Sequence, residues 1–162
     1  MDHRAWRLLP ALLASAMASA IGCADSGEPL AMLALPEAEA FRFSSGLATQ
    51  QRLVIRDAAT WANLWSQIAA NTQPRPAAPA IDFDSKVVIV VAMGQRPSGG
   101  YSIDIDSVRI VDEDVRISVT ETSPGDQCGV TGALTQPIAA TTVPRFDGEP
   151  TFNEHTATRD CK

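Results

Sequence analysis

The residues with chemistry to offer are few. The chain has three cysteines and two histidines in 162 residues. Past the N-terminal segment there remain Cys128, Cys161 and a single histidine, His155, in the polar stretch "TFNEHTATRDCK". A Cys-His pair would make a thiolate nucleophile and a Ser-His-Asp set an activated hydroxyl, but either needs a histidine oriented by a rigid scaffold. His155 sits where little apolar sequence is present to build one, so no catalytic residue is assigned. Asp104 and Asp106 stand two apart, with Asp112, Glu113 and Asp114 close behind. Neither group has the spacing of a calcium loop. They read as a solvated acidic face, with no metal and no cofactor.

The cysteines suggest other roles. "AIGC", Ala20 to Cys23, resembles the lipobox of bacterial lipoproteins, in which the cysteine is lipidated and becomes the first mature residue. Ala20 departs from that pattern, where leucine is commonest. Ahead of it lie Arg4 and Arg7 and then an uncharged run of about fifteen residues, short of the ~20 that a membrane-spanning helix needs. Ordinary cleavage after "ASA", Ala18 to Ala20, is the alternative. With Cys23 lipidated, Cys128 and Cys161 remain as one pair in an oxidising compartment. Their bond would close a loop of about 33 residues, worth about 3–4 kcal/mol in the chain-entropy model. The alternative is two free thiols. These readings divide the chain into a lipoprotein signal peptide (1–22), a tether (23–40) and one domain (41–162). They place it in the bacterial cell envelope, facing periplasm or exterior, on a lipid anchor at Cys23.

Without residues 1–22 the chain loses two of its 13 basic and one of its 19 acidic residues, leaving 11 against 18, a net charge of −7. That sign argues against nucleic acid and against electrostatic docking on anionic lipid. Membrane attachment then rests on acyl chains, at about 0.8 kcal/mol per buried methylene.

The elements that would position any site follow from periodicity. Residues 24–40 are polar at first and more apolar at "LAMLAL". Phe41 and Phe43, then Leu53 and Ile55, recur at period two around "SSG", which reads as two short strands and a turn. Asp57 is a good N-cap, and Trp61, Leu64, Trp65 and Ile68 fall on one face of a helix. That face must lie on a sheet as core rather than serve as a ligand platform. "NTQPRPAAPA" ends the helix in an extended loop. "KVVIVVAM" is a central strand covered on both faces. "YSIDID" alternates, and the phase slips before Val108 and Ile110, which predicts a bulge near Ser107. Val115, Ile117 and Val119 face inward on the next strand, and after a long polar loop "IAATTVPR" is a last strand. The expected fold is α+β: mainly one antiparallel, strongly twisted β-sheet with one amphipathic helix packed on it.

Between the central strand and "YSIDID" lies "GQRPSGGY", which holds a proline, three glycines and the only tyrosine of the chain. Pro97 sets φ near −65°, Gly99 and Gly100 permit conformations that a side chain forbids, and Ser98 can bond to the local backbone. Such a loop is ordinarily only a turn. The stretch "DFDSKVVIVVAMGQRPSGGYSIDIDSV", followed by "ETSPGDQC" and "QPIAATTVPR", is similar to the C-terminal domain of the protease-complex subunit PrcB family. Asp82, Phe83, Gly94, Ser98, Gly99, Gly100, Tyr101 and Ile103 carry the resemblance, with Pro124 and Pro137 behind them, over roughly residues 57–145. Ser98 stands where threonine is commoner. The resemblance implies an exported, often lipid-anchored bacterial protein that accompanies a secreted or envelope protease, and no catalytic residues. It makes Gly94, Pro97, Ser98, Gly99, Gly100 and Tyr101 the candidate partner-binding loop. Two other readings stay open. "RPSGGY" faintly resembles a loop of the chagasin-like protease inhibitors, although their other two loops are not found and the helix does not fit their sandwich. The chain could also be a structural envelope lipoprotein with no protease partner.

Overall fold

Residues 27–161 are described by the computed structural model. They form β1 (Glu28–Pro29), β2 (Leu33–Ala34), α1 (Pro36–Glu39), β3 (Gln50–Ile55), α2 (Ala58–Ile68), β4 (Lys86–Met93), β5 (Ser102–Val111), β6 (Asp114–Pro124), β7 (Ile138–Pro144) and β8 (Pro150–Arg159). The class is the expected one, α+β and dominated by sheet. The strands, however, divide into two four-stranded sheets, ordered β1-β5-β6-β8 and β2-β7-β4-β3. Neighbours are antiparallel except β6 and β8, which run parallel.

The reason for two sheets is β4. Its seven apolar residues are all buried. Val87, Ile89, Val91 and Met93 point between the sheets, and Val88, Val90 and Ala92 point at α2. One short helix covers only one face of the β4 sheet. The apolar faces of β5 and β6 cover the other through Ile103, Val108, Val115, Ile117 and Val119. The result is three layers, helix on sheet on sheet.

On the outer layer Asp57 caps α2 as expected, its carboxylate accepting from Thr60 N at 2.8 Å. Trp61, Leu64, Trp65 and Ile68 are all buried, each contributing ~1.5–3 kcal/mol if fully buried. The proline-rich loop is tied to this face. Trp61 Nε1 donates to Pro79 O and Trp65 Nε1 to Pro76 O, both at 3.0 Å. The bulge also forms where the phase slips, as a register shift between Ile105 and Ser107.

Three local expectations change. Residues 41–43 are turn rather than strand, with Phe41 buried against Trp65 and Phe43 exposed. "IAATTVPR" is not the last strand, because the C-terminal stretch forms β8 along the full length of β6. Only the described part of the expected tether, from residue 27 on, can be placed. There β1 pairs with β5 and β2 with β7, so the segment crosses from one sheet to the other.

Candidate functional site

The loop after β4 is fixed by its neighbours. Gly94 has φ 75°, and a Cβ there would lie 2.9 Å from Gln50 N and 3.0 Å from Ala48 O. Gly100 has φ 90°, with Val130 Cγ1 2.9 Å from a Cβ position. Both positions therefore require glycine. Between them the backbone is pinned to the polar loop that precedes β7. Arg96 N donates to Thr135 O at 2.8 Å, Thr135 N to Arg96 O at 3.1 Å, and Gly99 N to Thr131 O at 2.9 Å. Thr135 Oγ1 donates to Ser98 O at 2.8 Å. Ser98 Oγ bonds the local backbone at Gly99 O, 3.1 Å away. Gln95 and Pro97 are exposed at the tip.

Tyr101 is half-buried. It packs against the core between the sheets, and the Arg96 guanidinium lies 6.0 Å from its ring centroid. Arg96 also reaches Glu121, whose carboxylate binds Arg52 at 2.6 Å while Arg52 Nε donates to Glu154 at 2.8 Å. The Arg52 and Glu121 side chains are only 12% and 16% exposed. This network joins β3, β6 and β8 beneath the loop, where partial burial strengthens charge pairing.

Beside the loop opens a cavity of about 450 Å³. Gly99, Gly100, Tyr101 and Ser102 form one wall, and Arg42, Phe43, Thr131, Thr135 and Arg159 the rest. Arg42 is held by Glu39 and Asp104. Partial burial works against its charge, but the Coulombic pull of Asp104, with help from Glu39, outweighs that and holds its pKa above the usual value. Arg159 Nη2 donates to Gly100 O at 3.0 Å. Sequence reasoning missed Arg42, Phe43 and Arg159. All three stand in stretches that the sequence reads as short strands with a turn, for Arg42 and Phe43, and as a polar tail, for Arg159.

The remaining candidates fall as follows. Cys128 and Cys161 are bonded, with Cα atoms 4.9 Å apart. Neither thiol is therefore available to His155, which lies exposed on β8. Cys23 lies outside the described residues. Asp104 pairs with Arg42, and Asp106 accepts from Thr120 Oγ1 at 2.6 Å, so these carboxylates are engaged rather than merely solvated. Asp82 and Phe83 act in folding. Asp82 accepts from Ser85 Oγ at 2.6 Å in the turn before β4, and Phe83 packs on the helix-side core.

Binding residues concentrate on loops held by a rigid scaffold, and this sheet-dominated α+β domain holds a backbone-pinned loop beside a cleft. Residues 87–144, from β4 to β7 and including that loop, match the model of the PrcB C-terminal family, so this stretch of the chain is similar to the PrcB C-terminal domain. No curated protein matches the chain, and no solved structure does.

Proposed function

We propose that this is a non-catalytic protein-interaction domain, exported and lipid-anchored, that accompanies a secreted or envelope protease. The observation that carries the reading is the loop from Gly94 to Tyr101. It is held by backbone hydrogen bonds to Thr131 and Thr135, so little ordering entropy remains to be lost on binding. Its exposed tip stands on a strand that cannot move without opening both cores. The PrcB match suggests a protease complex as the partner. The disulfide suits an oxidising, exported setting.

The test is recovery of the partner from envelope extracts by the lipidated full chain. Ser98→Arg is expected to keep the fold by circular dichroism and lose the partner. If Ser98→Arg recovers the partner as well as the wild type does, the loop is a turn and the interface lies elsewhere. A recovered protease that stays active supports the accessory reading. One that is inhibited points instead to an inhibitor, and no protease at all to a structural lipoprotein.

A further inference from the structure

The cleft beside the loop continues along an open strand edge. β6 pairs with β5 along nearly its whole length. On the other edge β1 pairs only at Arg109 and Ile110, with Leu30 N donating to Val108 O at 2.8 Å. From Ser102 to Asp106 that edge has no strand against it among the described residues. The facing wall belongs to the β7 sheet. There Ile138 N and Gln136 N donate to the carbonyls of Arg42 and Phe43 at 2.9 and 3.1 Å. Between the walls, past Arg42, a second cavity of about 270 Å³ follows the first, bordered by Met32, Asp104, Ile105 and Ala139.

Exposed apolar side chains gather along this groove. Phe43 is 51% exposed and lines its loop end. Val130, also exposed, stands against Gly100. Met32 is exposed at the other end. Clustered exposure of this kind marks an interaction surface, whereas scattered single residues would need no explanation. The charge at the loop end is also distinctive. The whole chain has a net charge of −6. Yet the lining there holds Arg42 and Arg159 and no carboxylate. Arg42 is already engaged by two carboxylates, Glu39 and Asp104. Arg159 donates to Gly100 O and has no carboxylate partner among the described residues.

We propose that the groove binds an extended acidic segment of the partner protein. The segment adds as a strand to the open edge of β5 at Ser102–Asp106, lays an apolar side chain against Phe43 and places a carboxylate on Arg159. Strand addition supplies main-chain hydrogen bonds and side-chain pockets supply specificity. Charge complementarity at Arg159 selects an acidic segment over a basic one. Glu39 and Asp104 share the single charge of Arg42 at the second cavity, so the segment's carboxylate is confined to the Arg159 end of the groove. The proposal rests on the reading of the domain as a protein-interaction module.

The experiment selects a phage-displayed library of random linear peptides on the full mature chain. Enriched peptides are expected to carry a carboxylate near an apolar residue and to shift the amide resonances of Ser102 to Asp106. Their affinity should fall by about tenfold or more in Arg159→Glu and in Phe43→Ser, with both folds verified by circular dichroism. Arg75→Glu, an equal charge change on the exposed proline-rich loop, should leave it unaltered. The proposal is overturned if no peptide is enriched, or if enriched peptides bind both groove variants as they bind the wild type. A dimer in sedimentation that Phe43→Ser dissolves would give the groove to a second copy and also overturn it. Peptides captured without any protease recovered from extracts would uphold the groove and sink the protease reading. A protease lost with Ser98→Arg while no peptide is enriched would do the reverse.

Discussion

Gly94 is where a single atom decides the shape of the loop. Its φ of 75° lies in the left-handed region, and a methyl group there would meet the backbone of Gln50 and Ala48. The left-handed conformation alone costs a side-chain-bearing residue about 1–2 kcal/mol. Backbone neighbours cannot rotate out of the way as a side chain can. Gly94→Ala should therefore destabilise the domain by about 2 kcal/mol or more, read as a lower urea midpoint. An unchanged midpoint would mean that the strand end relaxes freely. Asp57 supplies a pH-dependent effect at the same scale. The backbone hydrogen bond from Thr60, then the bond from its hydroxyl, hold the carboxyl below its ordinary value of 3.8. A depressed folded pKa contributes stability that is complete above the unfolded value and is lost as pH falls through the folded one. Asp57→Ala should lower Tm at neutral pH, and its gap from the wild type should narrow as pH drops below 3.8. A gap that stays constant down to acid unfolding would show that the cap acts without its charge.

At the scale of elements, β4 and α2 were legible because their signals are strong and local. An uninterrupted run of β-branched residues and a four-residue apolar stripe each admit one reading. Ile89→Ala, which empties a site between the sheets, should cost about 2–5 kcal/mol in denaturant unfolding. A loss well under 1 kcal/mol would mean that the two sheets are not packed as described. The second sheet was not legible from the sequence. β5 and β6 alternate as strands of one half-buried sheet do, and only the double-sided burial of β4 requires two such faces. β8 was hidden for another reason. It turns Phe152 toward the core and is otherwise polar, so it carries no apolar period. Its pairing with β6 is held by backbone bonds, which leave no pattern in composition, and by the Cys128–Cys161 link, which the cysteine count does suggest but which does not say that the tail is a strand. Replacing both cysteines by serine should cost about 3–4 kcal/mol if the chain-entropy account holds. It should also raise amide exchange in β8 before the rest of the sheet. Exchange that rises equally in β4 would show that β8 does not open as a separate unit. Because Arg159 comes to the cleft on β8, the sequence could not have placed it there.

The largest scale concerns which way the molecule faces. Gly27 lies beside the far end of β5, where its carbonyl accepts from Arg109 Nη1 at 3.0 Å and Glu28 pairs with Ile110. The loop from Gly94 to Tyr101 leads into the opposite end of the same strand, at Ser102. Eight strand rises separate Ser102 from Ile110, about 25 Å. If Cys23 carries lipid, the four residues from it to Gly27 reach at most about 14 Å. The anchor would then emerge at the end with the β5–β6 turn, Asp112 and Glu113, and the loop and the mouth of the cleft would point away from the bilayer. A partner could engage them without touching lipid. Energy transfer to acceptor-labelled lipids tests this on the lipidated chain. Donors are placed through Glu113→Cys or Gln95→Cys, and the bonded Cys128 and Cys161 stay unlabelled. Transfer should be clearly greater from position 113 than from position 95. Equal transfer, or more from position 95, would mean that the domain lies down on the membrane. The groove would then have to be reached from the lipid side. Cys23→Ser should abolish transfer from both positions and release the protein to the soluble fraction, whereas persistent transfer would show that something other than an acyl chain at Cys23 holds the domain to the membrane.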